Sequence, residues 1–239
     1  MKEKTTFLIT GSSSGIGRAT AVQLLEAGHT IVGIARRPAN IEHSNYRHIE
    51  MDLGQLDTLP EQLDKLTAQY PQIDGIIFCA GYGRFGSLEE FSYNQIQSLL
   101  DLNLNSQIWL TRTYLPLLKK QNHGELVFIG SEAALNGGKR GAVYCAAKFG
   151  LRGFTQALRQ ECASSSIRVT LINPGMVRTD YFGELDFKPG AAPDNAIEAD
   201  DVAQVILDVL NTRPGTVIDE INLSPQKKVI QFGKKDQKL

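Results

Sequence analysis

The sequence predicts an α/β fold in which helices cover both faces of a doubly wound parallel sheet of about seven strands. Short apolar runs typical of buried strands alternate with longer stretches of helical periodicity along the chain. Helical crossovers join parallel strands through right-handed connections, and the helices then cover both faces of the sheet. No internal repeat, low-complexity run or linker divides the 239 residues, so we expect residues 1–239 to form a single domain.

The composition argues against several classes of function. Hydrophobic residues make up 42% of the chain, charged residues 21%, and the formal net charge is −1. This balance predicts neither disorder nor a nucleic-acid partner nor a polybasic membrane surface. There is no signal-peptide core and no apolar run of roughly 20 residues, so we expect a cytoplasmic protein without a membrane partner. The three cysteines lack metal-ligand spacing, and no metal site is expected.

The first strand, residues 5–10, and the first helix, residues 16–27, flank a glycine-rich turn. The helix is expected to end at Gly28 in a left-handed conformation. Glycines in the turn allow backbone N–H groups to approach a pyrophosphate, which the positive end of the helix dipole also favours. A turn between the first strand and the first helix is the context of a Rossmann-type dinucleotide site. The candidate cofactor-binding residues here are Gly11, Ser13, Ser14, Gly15, Ile16 and Gly17.

The second strand, residues 30–35, is expected to end beside the adenosine ribose. An acidic residue there would bind the 2′-hydroxyl of NAD and repel an added phosphate, but Ala35 occupies the place. Arg36 and Arg37 follow at once, and guanidinium groups suit a phosphate. The expected cofactor is therefore NADP(H). The alternative to phosphate binding is that Arg36 and Arg37 are two solvated arginines ahead of a turn at Pro38.

The next strands, residues 46–52 and 73–79, lead into two further candidate segments. Asp52 ends the third strand and Leu53 follows it; Asp52 is a candidate cofactor ligand or a helix cap. The following helix is predicted to start at the capping-box pattern Thr58-Leu-Pro-Glu61 and to run to about Gln69. The fourth strand is followed directly by Ala80 and Gly81.

A second capping box, Ser92-Tyr-Asn-Gln95, begins a long helical stretch that reaches about Lys120. Asn103 lies in its middle, where a buried amide requires hydrogen-bond partners. Asn105 is the nearby competitor for a functional role. A purely structural asparagine is the alternative for either residue.

The strongest functional pattern combines a serine, a tyrosine and a lysine. Ser131 directly follows the buried strand of residues 125–130, at the strand end where open α/β sheets place ligand groups. Tyr144 and Lys148 share one face of the helix expected from about Ala142 to Cys162. A nearby ammonium favours the phenolate, which would allow Tyr144 to exchange a proton near neutral pH. Taken alone, such a pair is more often a surface contact.

In this order, the glycine-rich turn, Ser131, Tyr144 and Lys148 resemble the NADP-preferring members of the short-chain dehydrogenase/reductase family, from about Thr5 to Thr179. The resemblance implies a Rossmann fold and hydride transfer between NADP(H) and a carbonyl or alcohol carbon. Tyr144 would donate the proton, Ser131 would bind the substrate oxygen, and Lys148 would lower the Tyr144 pKa and bind the nicotinamide ribose. Asn103 would hold a water connected to Lys148.

The resemblance also implies a set of contacts with the cofactor. Arg36 matches the ligand of the 2′-phosphate, with Arg37 as support, although a second basic residue that many NADP-preferring relatives carry is replaced here by Ser14. The pair Asp52 and Leu53 matches the adenine contact. Cys79 departs from the family, which usually has an Asn there, and a local loss of stability or a compensating water is expected. The segment beside the nicotinamide is matched by Pro174, Gly175, Val177 and Thr179.

Residues 176–199 show no regular period, and we interpret them as a substrate lid with an apolar underside. The aromatic residues of this segment, together with Tyr82 and Phe85, favour an apolar or aromatic ketone or aldehyde as the small-molecule substrate. The alternative to a substrate lid is that these aromatic residues only close the hydrophobic core. Residues 225–239 form a basic C-terminal tail after a final strand at residues 217–223.

Two other functions stay open from the sequence. One is an epimerase or dehydratase of the sugar-nucleotide type, which also uses a Tyr-xxx-Lys pair. The other is an NADPH-binding sensor or scaffold with little turnover. A homodimer or homotetramer is expected from the resemblance, because relatives commonly pair through the helices that carry Asn103 and Tyr144.

Overall fold

The computed structural model describes residues 5–233, which build a central sheet with helices on both of its faces. The strands are β1 (Thr6–Thr10), β2 (Thr30–Ala35), β3 (Tyr46–Glu50), β4 (Gly75–Phe78), β5 (Gly124–Ile129), β6 (Ile167–Pro174), β7 (Val177–Arg178), β8 (Phe187–Pro189), β9 (Ile197–Glu198), β10 (Glu220–Leu223) and β11 (Ile230–Phe232). The helices are α1 (Gly15–Glu26), α2 (Leu59–Gln69), α3 (Tyr93–Leu100), α4 (Ser106–Gln121), α5 (Ala142–Cys162) and α6 (Ala199–Leu210).

Seven of the strands form one sheet in the order β10-β6-β5-β4-β1-β2-β3. All of its neighbouring strands are parallel. The order reverses at β1, and loops on either side of this point diverge to leave a crevice at the carboxyl edge. The predicted doubly wound parallel sheet with about seven strands in one domain is confirmed.

The two faces of the sheet bury separate apolar clusters. Leu8 in β1 packs with side chains of α2, α4 and α5, whereas Phe7 and Ile9 face the opposite side with side chains of α1 and α6. The same alternation places Phe128 of β5 on the first face and Val127 on the second. Strands covered on both faces are apolar at successive positions, and this explains their continuous apolar runs in the sequence.

Both predicted helix starts are confirmed, but only one of them has the predicted capping box. Ser92 and Gln95 form the expected reciprocal capping box at the start of α3. At Thr58, however, no side-chain cap forms, because its hydroxyl donates to the carbonyl of Gln55 at 3.3 Å and accepts from Gln62 at 2.9 Å. Threonine hydroxyls satisfy nearby backbone groups in competing ways, so a sequence pattern alone does not determine the cap.

The long helix predicted from Ser92 to Lys120 is interrupted at its centre. A π-helical turn, Asp101–Asn105, joins α3 to α4. Such turns occur frequently at functional sites because they re-aim the side chains of a helix. Pro116 lies within α4, which nevertheless continues to Gln121. The predicted stretch is therefore helical, with a local change of register that includes Asn103.

Short strands form within residues 176–199, the segment whose sequence shows no regular period. β7 pairs with β9 in parallel, and β8 pairs antiparallel with β11 from the C-terminal tail. Elements of two or three residues are too short to produce a periodic sequence pattern. The described part of the predicted basic tail is therefore attached to the predicted lid, and residues 234–239 lie outside the described residues.

Helices of the described region are not suited to cross a membrane. The longest, α5 with 21 residues, carries several charged side chains. Within residues 5–233, no helix combines the required length with sufficient apolarity.

Candidate active site

One continuous cavity opens at the carboxyl edge of the sheet. Its volume is about 820 Å³, within the range of small-molecule binding sites. Every residue that the sequence predicts to bind the cofactor or to act in catalysis lines this cavity. The loops after β1 to β6 bring most of these residues together, since the carboxyl ends of parallel strands meet at one edge. Asn103 comes from the π-helical turn, and Tyr144 and Lys148 come from α5.

The glycine-rich turn passes so close to neighbouring backbone that side chains are excluded. Gly11 has a φ of +68° and Gly15 a φ of +52°, a conformation that favours glycine. A Cβ atom at Gly17 would collide with the carbonyl oxygen of Gly11. The Ser14 side chain forms no cap at the start of α1. Backbone N–H groups at this helix terminus are therefore directed at the cavity, an arrangement that fits phosphate oxygens.

The carboxyl end of β2 adds two exposed guanidinium groups. Arg36 and Arg37 line the cavity, and within residues 5–233 neither is paired with a carboxylate. Arg18 Nε donates to the carbonyl of Ala39 at 3.2 Å and holds the turn that follows them. Their charge and position fit a phosphate on the adenosine ribose. Asp52 accepts from the N–H of Gly54 at 3.0 Å, so it closes a local turn rather than capping α2.

Ser131 is positioned from two other strands. Its N–H donates to Oδ1 of Asn173 at 3.3 Å, and the Asn173 amide donates in turn to Glu220 at 2.7 Å. The Ser131 hydroxyl accepts from the N–H of Ala133 at 3.1 Å, which leaves its own proton available as a donor. Arg152 holds Glu220 through both carboxylate oxygens at 2.9 and 3.1 Å. The sequence reasoning missed Asn173, whose only signal is a polar side chain at the end of a buried strand.

Tyr144 and Lys148 lie on α5 and are 7% and 4% exposed. Lys148 Nζ donates to the carbonyl of Ile129 at 3.0 Å and lies 5.8 Å from the centre of the Tyr144 ring. Burial lowers the pKa of Lys148 to about 8. Burial also raises the pKa of Tyr144, and the Tyr181 and Ser131 hydroxyls partly oppose that rise.

This arrangement corrects the expectation that Lys148 lowers the pKa of Tyr144. The ammonium is bound to a backbone carbonyl, and the pKa of the phenol responds first to its own burial. The nearest groups that favour the phenolate are hydroxyls, not the lysine.

Asn103 is fully buried within the π-helical turn. Its amide nitrogen donates to the carbonyls of Tyr82 at 2.9 Å and Leu99 at 3.0 Å. Its Oδ1 makes no hydrogen bond with the described protein groups and lies 2.7 Å from where a Cβ of Gly81 would be. Asn105 instead donates to Asp101 at 2.8 Å. The geometry therefore favours Asn103 over Asn105 as the asparagine of the site.

The Thr10 hydroxyl joins the ends of two neighbouring strands next to Cys79. The Thr10 hydroxyl accepts from the N–H groups of Cys79 and Ala80, each at 3.0 Å. These bonds connect the ends of β1 and β4 without an amide side chain. Burial raises the pKa of the Cys79 thiol to about 12, so it stays protonated. These backbone contacts do not depend on the side chain of residue 79, and the expected local loss of stability or compensating water stays a prediction.

Aromatic side chains line the part of the cavity beyond Tyr144. The Phe85 ring lies 5.2 Å from the Tyr144 ring and 5.1 Å from the Phe187 ring, between centroids. The Tyr181 and Phe182 rings are 5.3 Å apart. Phe85, which lies outside the predicted lid, contacts the predicted proton donor, and Phe187 of the lid packs on Phe85.

The two arginines near this region have other partners. Arg178 pairs with Glu198 at 2.9 Å and donates to the carbonyl of Ala192 at 3.1 Å, so it fixes the loop between β8 and β9. Arg84 stacks on the Phe91 ring at 5.9 Å. Neither arginine is among the residues that line the cavity.

Two ion pairs at the rim of the cavity were not predicted from the sequence. Lys228 Nζ lies 2.7 Å from Glu132, directly after Ser131, and Arg140 lies 3.3 Å from Asp186. The members of each pair are separated by 96 and 46 residues, so no sequence spacing indicates them. They join the C-terminal tail and the lid to the loops around the site.

Comparisons with known proteins agree with this geometry. The family model described as short chain dehydrogenase matches residues 5–189. A sepiapterin reductase from Chlorobaculum tepidum is 28% identical over 240 residues, covering 94% of this chain and 97% of that protein. An NADP-dependent 3-hydroxy acid dehydrogenase from Schizosaccharomyces pombe is 28% identical over 238 residues, covering 92% of each. The structure of an alcohol dehydrogenase from Thermococcus sibiricus, complexed with 5-hydroxy-NADP, matches with a TM-score of 0.79 and 23% identity, over 92% of this chain and 96% of that one.

Proposed function

The chain belongs to the short-chain dehydrogenase family, and from this premise we propose that it is an NADP(H)-dependent oxidoreductase acting on a carbonyl or secondary alcohol. The observation that carries the proposal is the meeting of Ser131, Tyr144, Lys148 and Asn103 in one cavity with the glycine-rich turn. NADP(H), when bound, supplies or accepts the hydride, while the protein supplies geometry and electrostatics.

The residues of the chain divide the remaining work. In the direction of reduction, the Ser131 hydroxyl donates a hydrogen bond to the substrate oxygen, and Tyr144 transfers its proton to that oxygen as negative charge develops. Lys148 binds the nicotinamide ribose, and the Oδ1 of Asn103, unpaired among the described residues, holds a water that is connected to Lys148. Arg36, supported by Arg37, binds the 2′-phosphate that distinguishes NADP(H) from NAD(H).

The substrate that fits best is an apolar or aromatic ketone or aldehyde. Phe85, Phe182 and Phe187 supply apolar surface, and burying such surface contributes about 25 cal/mol per Å² removed from water. A carboxylate buried without a cationic partner is costly. Arg84 and Arg178 do not line the cavity, and of the cations at its rim Arg140 is paired with Asp186, Lys228 is paired with Glu132, and Lys139 is exposed to solvent. We therefore propose residues 176–199 as the substrate lid and expect a higher kcat/KM for an aryl ketone than for pyruvate.

The alternative function, from outside the enzymes, is a sensor or scaffold that binds NADPH without turnover. The buried phenol of Tyr144 beside Ser131 favours the enzyme, because a pure binding protein requires no proton donor. A sugar-nucleotide epimerase or dehydratase is disfavoured by the glycine spacing and the short region after β6.

Replacement of Tyr144 by Phe tests the proposal. We expect NADPH affinity to be kept and turnover of an aryl ketone to fall by about 10²–10⁴-fold, because only the proton donor is removed. Tyr93→Phe, at a side chain that is 92% exposed, is the matched control. Turnover of Tyr144→Phe within a few-fold of wild type would contradict the assignment. Cofactor binding by the wild type without turnover of any carbonyl would favour the sensor.

A further inference from the structure

The hydroxyl group of Tyr181 is buried beside the proposed proton donor and lacks a protein partner. Its oxygen makes no hydrogen bond with any described group. Burial, the largest effect, raises the pKa of this phenol well above its ordinary value, so it stays protonated. Leaving a buried donor unsatisfied costs free energy, and in native proteins such groups are rare and usually have a reason.

The position of Tyr181 is fixed by its surroundings. Its N–H donates to the Thr179 hydroxyl at 3.3 Å, at the start of the short 3₁₀ turn Asp180–Phe182. Its hydroxyl lies over Gly83, where any Cβ atom would collide with it. A glycine at residue 83 thus makes room for a phenol oxygen from the lid.

The two phenols of the site are close neighbours. Tyr181 packs against the apolar cluster that contains Tyr144, and the two hydroxyls are close enough for each to affect the pKa of the other. They are not aligned as a hydrogen bond, so the Tyr181 hydroxyl stays without a well-oriented partner among the described residues. Both residues line the cavity. A ligand that reaches the Tyr144 hydroxyl therefore also approaches the Tyr181 hydroxyl.

The reacting oxygen of the substrate does not require a third hydrogen-bond donor besides Ser131 and Tyr144. A carbonyl oxygen has two lone pairs, and in the proposed function Ser131 and Tyr144 occupy both. The donor of Tyr181 is left for another acceptor, which must lie near the reacting carbonyl. Because Tyr181 is neutral and aromatic rings surround it, that acceptor is an uncharged oxygen rather than a carboxylate.

We propose that Tyr181 is a specificity-determining residue whose hydroxyl binds a second, uncharged oxygen on the carbon adjacent to the reacting carbonyl. This inference rests on the proposed function and deepens it. The preferred substrates are apolar ketones with an α-oxygen, namely 1,2-diketones and α-hydroxy ketones. A plain ketone of the same shape leaves the Tyr181 hydroxyl unsatisfied.

The kinetic test uses two ketones with the same aryl group and nearly the same size. 1-Phenyl-1,2-propanedione carries the second oxygen, and propiophenone does not. Because the dione is intrinsically more reactive, each substrate is compared only with itself, in wild type and in Tyr181→Phe. We expect the variant to lose roughly 10- to 100-fold in kcat/KM for the dione and less than about threefold for propiophenone.

Other roles of Tyr181 give different results. If the residue acts through Tyr144 or only through packing, the variant loses activity equally with both ketones, and the inference is overturned. Because the Tyr181 hydroxyl also lowers the pKa of Tyr144, a shift of the pH profile common to both ketones is expected, so kcat/KM is compared at the pH optimum of each protein, and only a loss specific to the dione supports the inference. Unchanged kinetics with both ketones would show that the hydroxyl binds no substrate oxygen.

A binding experiment separates this inference from the proposed function. The oxidised cofactor cannot reduce a ketone, so the affinity of each ketone is measured by titration calorimetry with protein saturated with NADP⁺. Tyr181→Phe should weaken binding of the dione roughly tenfold and leave propiophenone unchanged, whereas Tyr93→Phe should change neither. If the wild type reduces no carbonyl, the proposed function fails, and this titration alone decides the inference. Equal affinities of wild type and Tyr181→Phe for the dione would refute it.

Discussion

The buried ammonium of Lys148 should reduce the stability of the folded protein, and replacing it by Met should reveal this cost. The pKa of Lys148 falls from 10.5 to about 8 because burial disfavours the charged form. At about 1.4 kcal/mol for each pH unit, the difference corresponds to about 3 kcal/mol of folding free energy. The side chain is 4% exposed, so solvent screens little of this effect.

The sign of the effect follows from proton linkage. Below pH 8 both states hold the proton, and the folded state bears the full cost of burying it. Between pH 8 and 10.5 the folded state releases the proton while the unfolded state keeps it, so stability rises with pH. Between pH 7 and pH 9.5, wild type should therefore gain about 2 kcal/mol relative to Lys148→Met.

Urea unfolding of both proteins at a series of pH values measures this difference. The change with pH is the informative quantity, because Lys148→Met also loses the hydrogen bond to Ile129 and this loss is independent of pH. Lys120→Met, at an exposed lysine in the last turn of α4, should show no such change. Parallel pH profiles for wild type and Lys148→Met would refute the reasoning. The same variant should lose turnover, a stability gain at the expense of function.

Three further predictions follow from the cofactor cradle and the exposed helix faces. Arg36→Ala should weaken NADPH binding roughly ten- to a hundredfold and spare NADH, since only NADPH carries the 2′-phosphate; equal weakening of both would indicate a structural role. Gly17→Ala should lower both cofactor affinity and Tm, because its methyl group collides with the Gly11 carbonyl; normal affinity would contradict the close approach. We propose a homodimer or homotetramer, which Trp109 on α4 and Phe149 on α5 support, because they are 36% and 43% exposed. Sedimentation at micromolar concentration should detect it, and a monomer would contradict it. A cytoplasmic location stays a prediction.

Local spacing and strand ends predicted much of the site. Tyr144 and Lys148 follow from helix periodicity, Ser131 from its place after a buried strand, and Gly28 from its position after α1, where it has a φ of +91°. These features depend on neighbours within a few residues, and such neighbours are visible in a sequence. The sheet order follows in a similar way, since helical crossovers leave few alternatives.

Features that depend on distant residues were not predictable. Asn173 meets Ser131 across 42 residues, and the Thr10 hydroxyl meets Cys79 across 69. The direction of the Tyr144 pKa shift depends on burial, which the whole fold creates. The unpaired Tyr181 hydroxyl is likewise a property of the packed lid, for which the sequence offers only an aromatic residue between glycines.

The pairing of β8 with β11 means that the two ends of the cavity differ in how they open. The cofactor end is built on the central strands, whose amides exchange with solvent only when the sheet itself unfolds. The substrate end is covered by two three-residue strands and surface ion pairs, with every residue of β11 exposed. Such an element belongs to the least protected part of a protein, because few buried contacts oppose its detachment. If residues 176–199 are the substrate lid, we expect substrate exchange to require only a local, low-energy fluctuation at the β8–β11 pair, while the dinucleotide half keeps its native hydrogen bonds.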